Sequence, residues 1–196
     1  SSVPSCSFVY VPLHYQPEVT TSPVAGRFVD QELMVHLIAM SVPPDVMVIV
    51  KEHPRQTSIG RNQRFYKEIH AMRNVLLVEQ SIDSHELISD SIAVATCSGT
   101  AGWEAVLVSK PVLLFGSAFY RDAPLVNEVF DMDSCRSAIE RALVGYERDA
   151  NQDLIRYLVS LQRSSVRAVV DPDYLQISQI DSQTVNENLR RAVLAE

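Results

Sequence analysis

IAVATCSGTAGWEAVLVSKPVLLFG, residues 92 to 116, reads as one structural unit. A short apolar run, Ile92 to Ala95, leads into a small turn built on Cys97, Ser98, Gly99 and Thr100. An apolar helical stretch follows from Gly99 to Val108. Lys110 and Pro111 then separate it from a second apolar run, Val112 to Phe115. Strand, turn, helix and strand in that order make a βαβ crossover, which implies two parallel strands with a helix over one face.

The same alternation extends in both directions. Phe8 to Leu13 reads as a strand and Asp30 to Ser41 as a helix rich in Leu, Met, Ile and Ala. Val46 to Val50 is almost wholly apolar and β-branched, as expected of a strand buried on both faces. Arg61 to Met72 reads as an amphipathic helix with Phe65, Ile69 and Met72 on one side, Asn74 to Val78 as a strand and Ser84 to Ser89 as a short helix. Beyond Phe115 the sequence predicts three helices, Ser134 to Arg148, Asn151 to Gln162 and Ser182 to Leu194. Strands spaced by helices at this interval imply right-handed crossovers and a parallel sheet. The expectation is an α/β fold, a single Rossmann-like domain over residues 1–196 with a parallel sheet flanked by helices. The connection Gln16 to Gly26 is long for a βα loop, and such loops lie over the carboxyl ends of the strands, where open α/β sheets bind ligands.

Bulk properties narrow the function. The 196 residues are 46% apolar and 21% charged, ordinary for one globular domain with a real core. No apolar stretch approaches the roughly 20 residues that span a bilayer, and the start carries no signal-peptide pattern. The first residue is Ser1 rather than methionine, which reads as an excised or processed piece. Cys6, Cys97 and Cys135 are an odd set without a C-x-x-C pair, so neither a disulfide scaffold nor a zinc site is expected, and a reducing cytoplasm is the default. The net charge of -7 argues against a nucleic-acid binder. Between Lys51 and Arg73, however, six basic residues stand against two acidic ones (Glu52 and Glu68). This basic segment could draw in a small anionic ligand. For Arg61 to Arg73 the plainer reading is a solvated helix face.

Three motifs carry chemistry. In the first, Ser98, Gly99 and Thr100 stand where a strand ends and a helix begins. Ser and Thr can cap the helix, Gly99 allows close approach to the backbone, and the exposed N–H groups attract an anion. Glu104, one turn further, would repel a phosphate but accept hydrogen bonds from a ribose diol. An ordinary capped helix, with Glu104 favouring the dipole, explains the same spacing. The second motif is Lys51-Glu52-His53-Pro54, directly after the buried strand. Pro54 blocks the α conformation at His53 and holds it extended at the strand's carboxyl end, where it could donate to a phosphate oxygen with Lys51 and Arg55 nearby. The third is Pro12-Leu13-His14-Tyr15-Gln16-Pro17-Glu18. Gln16 and Glu18 are candidates to touch substrate and His14 an alternative acid or base, beside the reading of a turn built on two prolines. His36, His70 and His85 read as structural, no metal-ligand spacing such as H-E-x-x-H occurs, and Ser98 lacks a G-x-S-x-G context.

With these motifs in place, the sequence resembles the capsule polysaccharide biosynthesis and export family of bacterial glycosyltransferases, a group that includes transferases of the acidic sugar Kdo. The resemblance is carried by Val11 to Glu18, by Lys51 to Pro54, and by Ser98 to Ala105 running into Lys110-Pro111 and Phe115-Gly116. It implies a GT-B architecture of two Rossmann-like domains, of which this chain is similar to the C-terminal, nucleotide-sugar-binding half. On that footing His53 and Pro54 would hold the donor phosphate, Ser98, Gly99 and Thr100 would contact it, and Glu104 would hold the ribose. Lys51 and Gln16 complete the candidate donor site, with His53, Glu18 and His14 as candidates for the catalytic group. The donor would be a CMP-activated acidic sugar, with no metal and no further cofactor. The acceptor would be a glycan or glycolipid, and an N-terminal GT-B domain would be the missing partner. The helices from about residue 151 to 196 could pack on that domain. The location would be cytoplasmic, with peripheral contact to the inner membrane or to capsule assembly proteins. Two alternatives stay open: a UDP- or CDP-dependent GT-B enzyme, either epimerase or glycerophosphotransferase, and a non-catalytic sugar-nucleotide-binding module.

Overall fold

The computed structural model describes residues 6–16, 22–57, 61–145, 150–169 and 178–194. Six strands form one parallel sheet: β1 (Phe8–Pro12), β2 (Met47–Lys51), β3 (Val75–Val78), β4 (Ala93–Thr96), β5 (Val112–Leu114) and β6 (Val126–Glu128). Their spatial order is β3-β2-β1-β4-β5-β6. The first strand in sequence is therefore central. It pairs with β2 from Phe8↔Met47 to Pro12↔Lys51 and with β4 at Val9↔Ala93 and Tyr10↔Val94. Phe8, Val9, Tyr10 and Val11 are all buried, as a strand covered on both faces requires.

Helices α1 (Gln31–Ser41), α2 (Gln63–Ala71) and α5 (Met132–Val144) share a core cluster with one face of the sheet. There Met34, Val35 and Ile38 of α1 have no exposed surface, and burying each side chain contributes about 1.5–3 kcal/mol. Helices α3 (Ser84–Asp90) and α4 (Thr100–Leu107) pack together and against β1, β4 and β5. Most helix starts carry a side-chain cap. Asp30 accepts from Glu32 N–H, Asn62 from Phe65 N–H, and Asp131 forms a capping box with Ser134.

The doubly wound sheet expected from the sequence is present. Three local differences have physical causes. Strand β6 was not expected, because only three residues pair there and the middle one, Asn127, is polar. Its amide nitrogen donates to Leu125 O (3.0 Å) and its oxygen accepts from Arg141 Nε (2.9 Å), so a polar side chain is satisfied inside a sheet edge. A 3₁₀ turn, Gly26–Val29, precedes α1, with Gly26 at φ +56°. Helix α5 ends at Val144, where Gly145 takes φ +83°, ahead of the expected Arg148, which lies outside the described residues.

The chain divides into two compact units, Ser1–Leu154 and Ile155–Glu196, with α6 (Ala150–Ser164) running across the division. The first unit holds the sheet and the motifs. In the second, Asp181 accepts from Thr184 N–H at the start of α7 (Ser182–Leu194), and Asn188 Nδ2 donates to Arg167 O (2.7 Å).

Candidate functional site

The strand order reverses between β1 and β4, and the crevice outside their carboxyl ends is where open α/β sheets hold ligands. The loops after β1, β2 and β4 all reach it, and each carries one of the three motifs.

The turn after β4 is built from beneath by His14. Cys97 N–H donates to His14 Nε2 (3.2 Å), and Thr96 Oγ1 lies 2.8 Å from the same nitrogen. An N–H can only donate, so Nε2 accepts and the neutral ring carries its proton on Nδ1. Thr96 Oγ1 in turn accepts from Gly99 N–H (3.1 Å). Helix α4 starts at Thr100 with Gly99 as its cap residue and no side-chain cap bond. The cap position is thus Gly99 and not the Ser98 or Thr100 expected, and Thr96, from the strand below, lends its hydroxyl to the turn. The α4 dipole puts its positive end at this turn. Ser98 and Gly99 are half-buried and Thr100 is exposed. Gly99 also has a reason inside the protein, because a Cβ there would meet His14 Cε1 at 2.9 Å. Tyr120 holds the turn from the other side, its hydroxyl donating to Gly99 O (2.6 Å), in space that Gly102 leaves free for the Tyr120 ring.

After β2, His53 is half-buried and its ring lies 5.7 Å from that of Tyr15. His53 Nδ1 accepts from Arg55 N–H (3.2 Å), which puts the neutral ring's proton on Nε2 and makes that nitrogen a donor suited to an anionic oxygen. Pro54 is exposed beside it. Lys51 turns elsewhere. Its ammonium donates to Ile82 O and to Ser84 Oγ, and burial pulls its pKa down while Asp83 opposes the change. Ser84 also accepts from Tyr10 OH (3.3 Å), whose pKa is pushed up to about 12, chiefly by burial. Glu104 faces this side of the site, with Oε2 3.9 Å from His85 Nδ1. His85, read from sequence as structural, is thus drawn next to a candidate ligand residue.

In the β1 loop, His14 is buried and its backbone is fixed by α1. His14 N–H donates to Gln31 Oε1 (2.7 Å), and Gln31 Nε2 donates to His14 O (3.2 Å). The Gln16 amide group is engaged with the protein, donating to Val29 O (2.7 Å) and accepting from Arg61 Nη2 (3.3 Å). Glu18 lies outside the described residues. The end of the long loop covers the end of β5, as expected, with Ser117 N–H donating to Val24 O (3.2 Å).

Sequence reasoning missed the residues that support the motifs. Arg61 was read with a solvated helix face, yet it is 4% exposed and precedes α2 rather than lying on it. It pairs with Glu52, which also accepts from Tyr66 OH (2.7 Å) and His53 N–H (2.7 Å). A basic residue directly before the capping Asn62 was the only available signal. Gln31 and Thr96 gave none beyond their positions at element ends, and Tyr120, in the connection between β5 and β6, gave none. Cys97 is no nucleophile, since burial pushes its thiol up to about 12. Among the described residues, no group of three His, Cys, Asp or Glu side chains is placed to hold a metal ion, and no helix is long and apolar enough to cross a membrane.

A doubly wound domain with a helix N-terminus and a histidine at its switch-point crevice has the layout in which open α/β sheets hold ligands. The family described as "capsule polysaccharide biosynthesis protein" matches residues 21–129, more than half of the chain, and the chain belongs to that family. Protein FixF of Sinorhizobium fredii is 32% identical over 108 residues, 54% of this chain and 24% of that protein. Among solved structures, Thermosulfurimonas dismutans KpsC, a beta Kdo 2,4 transferase, is similar with a TM-score of 0.50 and 19% identity over 70% of this chain and 45% of that one. The UDP-GlcNAc 2-epimerase of Methanocaldococcus jannaschii gives a TM-score of 0.55 and 13% identity over 81% of this chain and 47% of that one. At these identities the likeness is one of fold. The chain spans about a quarter of the curated relative and under half of either structure.

Proposed function

We propose that this domain binds the donor of a glycosyltransferase of capsule or surface polysaccharide synthesis, and that the donor is a CMP-activated acidic sugar of the Kdo type. The observation that carries the reading is the convergence of all three motif loops on one crevice in a chain of the capsule biosynthesis family. The phosphate would lie on the uncapped N-terminus of α4 at Ser98, Gly99 and Thr100, with His53 Nε2 donating to it. The nucleoside would run toward Glu104 and the start of α3. In this reading Lys51 shapes the loop before α3, and His14 and Gln16 shape the crevice. As CMP departs, the His53 donor and the α4 N–H groups would stabilise the charge left on its phosphate. The fold likeness to KpsC favours the Kdo class, and an anionic sugar suits the exposed Arg55 two residues from His53. Acceptor, catalytic group and the surface for residues 151–196 belong to an N-terminal GT-B half, at the cytoplasmic face of the inner membrane.

Calorimetric titration of the chain with CMP, UDP and CDP tests this, repeated with His53→Ala and Glu104→Ala. CMP should bind most tightly, and each substitution should weaken it about 10- to 150-fold, the scale of a lost charged hydrogen bond. Preference for UDP would overturn the CMP reading in favour of epimerase-type chemistry, which the likeness to the UDP-GlcNAc 2-epimerase also suits. Affinity unchanged by either substitution would remove His53 and Glu104 from the site.

A further inference from the structure

We infer that Arg61 is a positioning residue of this site, a clamp that fixes the loops after β1 and β2 relative to each other and so sets His14 and His53 at the crevice. The inference rests on the donor-binding reading of those loops. One side chain reaches both. Arg61 Nη2 donates to His14 O (2.9 Å) and to Gln16 Oε1 (3.3 Å), while Nη1 donates to Glu52 Oε1. That carboxylate oxygen also accepts His53 N–H (2.7 Å), and its twin accepts Tyr66 OH (2.7 Å). Two bonds therefore separate the guanidinium from the backbone of His53, and a single one separates it from that of His14.

The arrangement suits holding better than it suits binding. Arg61 and Glu52 are both buried, so neither charge meets a diffusing ligand directly. A buried ion pair is weak ground for stability, since packed apolar residues do as well. What apolar residues cannot supply is a planar fork with donors in fixed directions, and lysine lacks that fork too. The fork is itself anchored. Its guanidinium carbon lies 4.8 Å from the centre of the Phe65 ring, and Phe65 and Ile69 root α2 in the core immediately after the capping Asn62.

The test uses Arg61→Lys and Tyr66→Phe in the chain as it stands, each alone and combined with His53→Ala. Amide hydrogen exchange is read first, without nucleotide. Loss of the clamp should speed exchange at His53 by about tenfold or more, while the amides of Val48, Ile49 and Val50 in β2 stay protected. CMP titration follows. Arg61→Lys should weaken binding about tenfold in the parent chain and far less when His53 is already alanine, because contributions of residues that act through one another do not add. Tyr66→Phe, which removes one outer bond, should shift the same amide by less, and it decides the matter if Arg61→Lys does not fold. Unchanged exchange at His53, exchange raised evenly across the sheet, or additive losses in affinity would each overturn the inference. A chain that exchanges as expected but binds no nucleotide removes the donor-binding reading and leaves the clamp standing on exchange alone.

Discussion

A methyl group on Gly99 would lie 2.9 Å from His14 Cε1 and 3.2 Å from Thr96 Oγ1. The His14 ring cannot retreat, because its Nε2 is bonded to the turn from which the methyl would grow. Gly99→Ala should therefore displace the turn or the ring, at a cost of about 1–3 kcal/mol, the usual penalty for an overfilled site. Urea unfolding measures it, and a midpoint equal to that of the parent would show that the contact is slack. At this scale the sequence was half legible. A glycine between a strand and a helix announced a tight turn, but its partner lies more than 80 residues away and left no local trace. Lys51 and Arg61 show the same limit. Both were read by charge, and both have their heads turned into the protein, Lys51 to Ile82 and Ser84 and Arg61 to Glu52 and His14.

Among elements, α1 does most to shape the crevice. Its first residue, Gln31, is 2% exposed and pairs with His14 N–H and C=O much as a neighbouring strand would. Gln31→Ala would leave a buried donor without its partner and weaken satisfaction of the acceptor, a loss of about 1–3 kcal/mol. Gln31→Glu tests the geometry. It keeps the acceptor for His14 N–H but sets a buried carboxylate oxygen against His14 O, so its thermal midpoint should fall at least as far as that of Gln31→Ala. A Gln31→Ala midpoint equal to the parent's would rule out the pinning role. The apolar runs of β1, β2, β4 and β5 were easily read because burial on both faces leaves only one kind of side chain there. Strand β6 was not, because an edge strand of three residues with Asn127 inside has neither length nor alternation. The N-terminus of α4 was read in the right place with a hydroxyl cap that it lacks, and the Thr96 hydroxyl that braces the turn belongs by sequence to the strand.

Across the whole molecule, burial has set several acidic groups against ionisation. It pushes Tyr10, Tyr66 and Cys97 up to about 12, and Tyr120 and Cys135 upward as well. In the unfolded chain these groups ionise near their ordinary values, so above about pH 9 the unfolded state holds fewer protons than the folded one. Their contribution is complete below that pH and is lost as pH rises toward 12. Lys51 and Lys110, pulled down by burial, act in the opposite sense, two groups against five. The thermal midpoint should thus fall between about pH 8 and about pH 11, and a flat profile would contradict the burial of these side chains. The central place of β1 has a consequence for how the protein is made. Of the strands of this sheet Phe8–Pro12 is made first, yet its second edge is covered only when β4, ending at Thr96, has followed. At ordinary rates of synthesis that delay is roughly 4–17 s. Throughout it, a strand destined for burial on both faces presents a bare edge to other nascent chains. The strand that anchors the crevice is the one most in need of a chaperone's cover at birth.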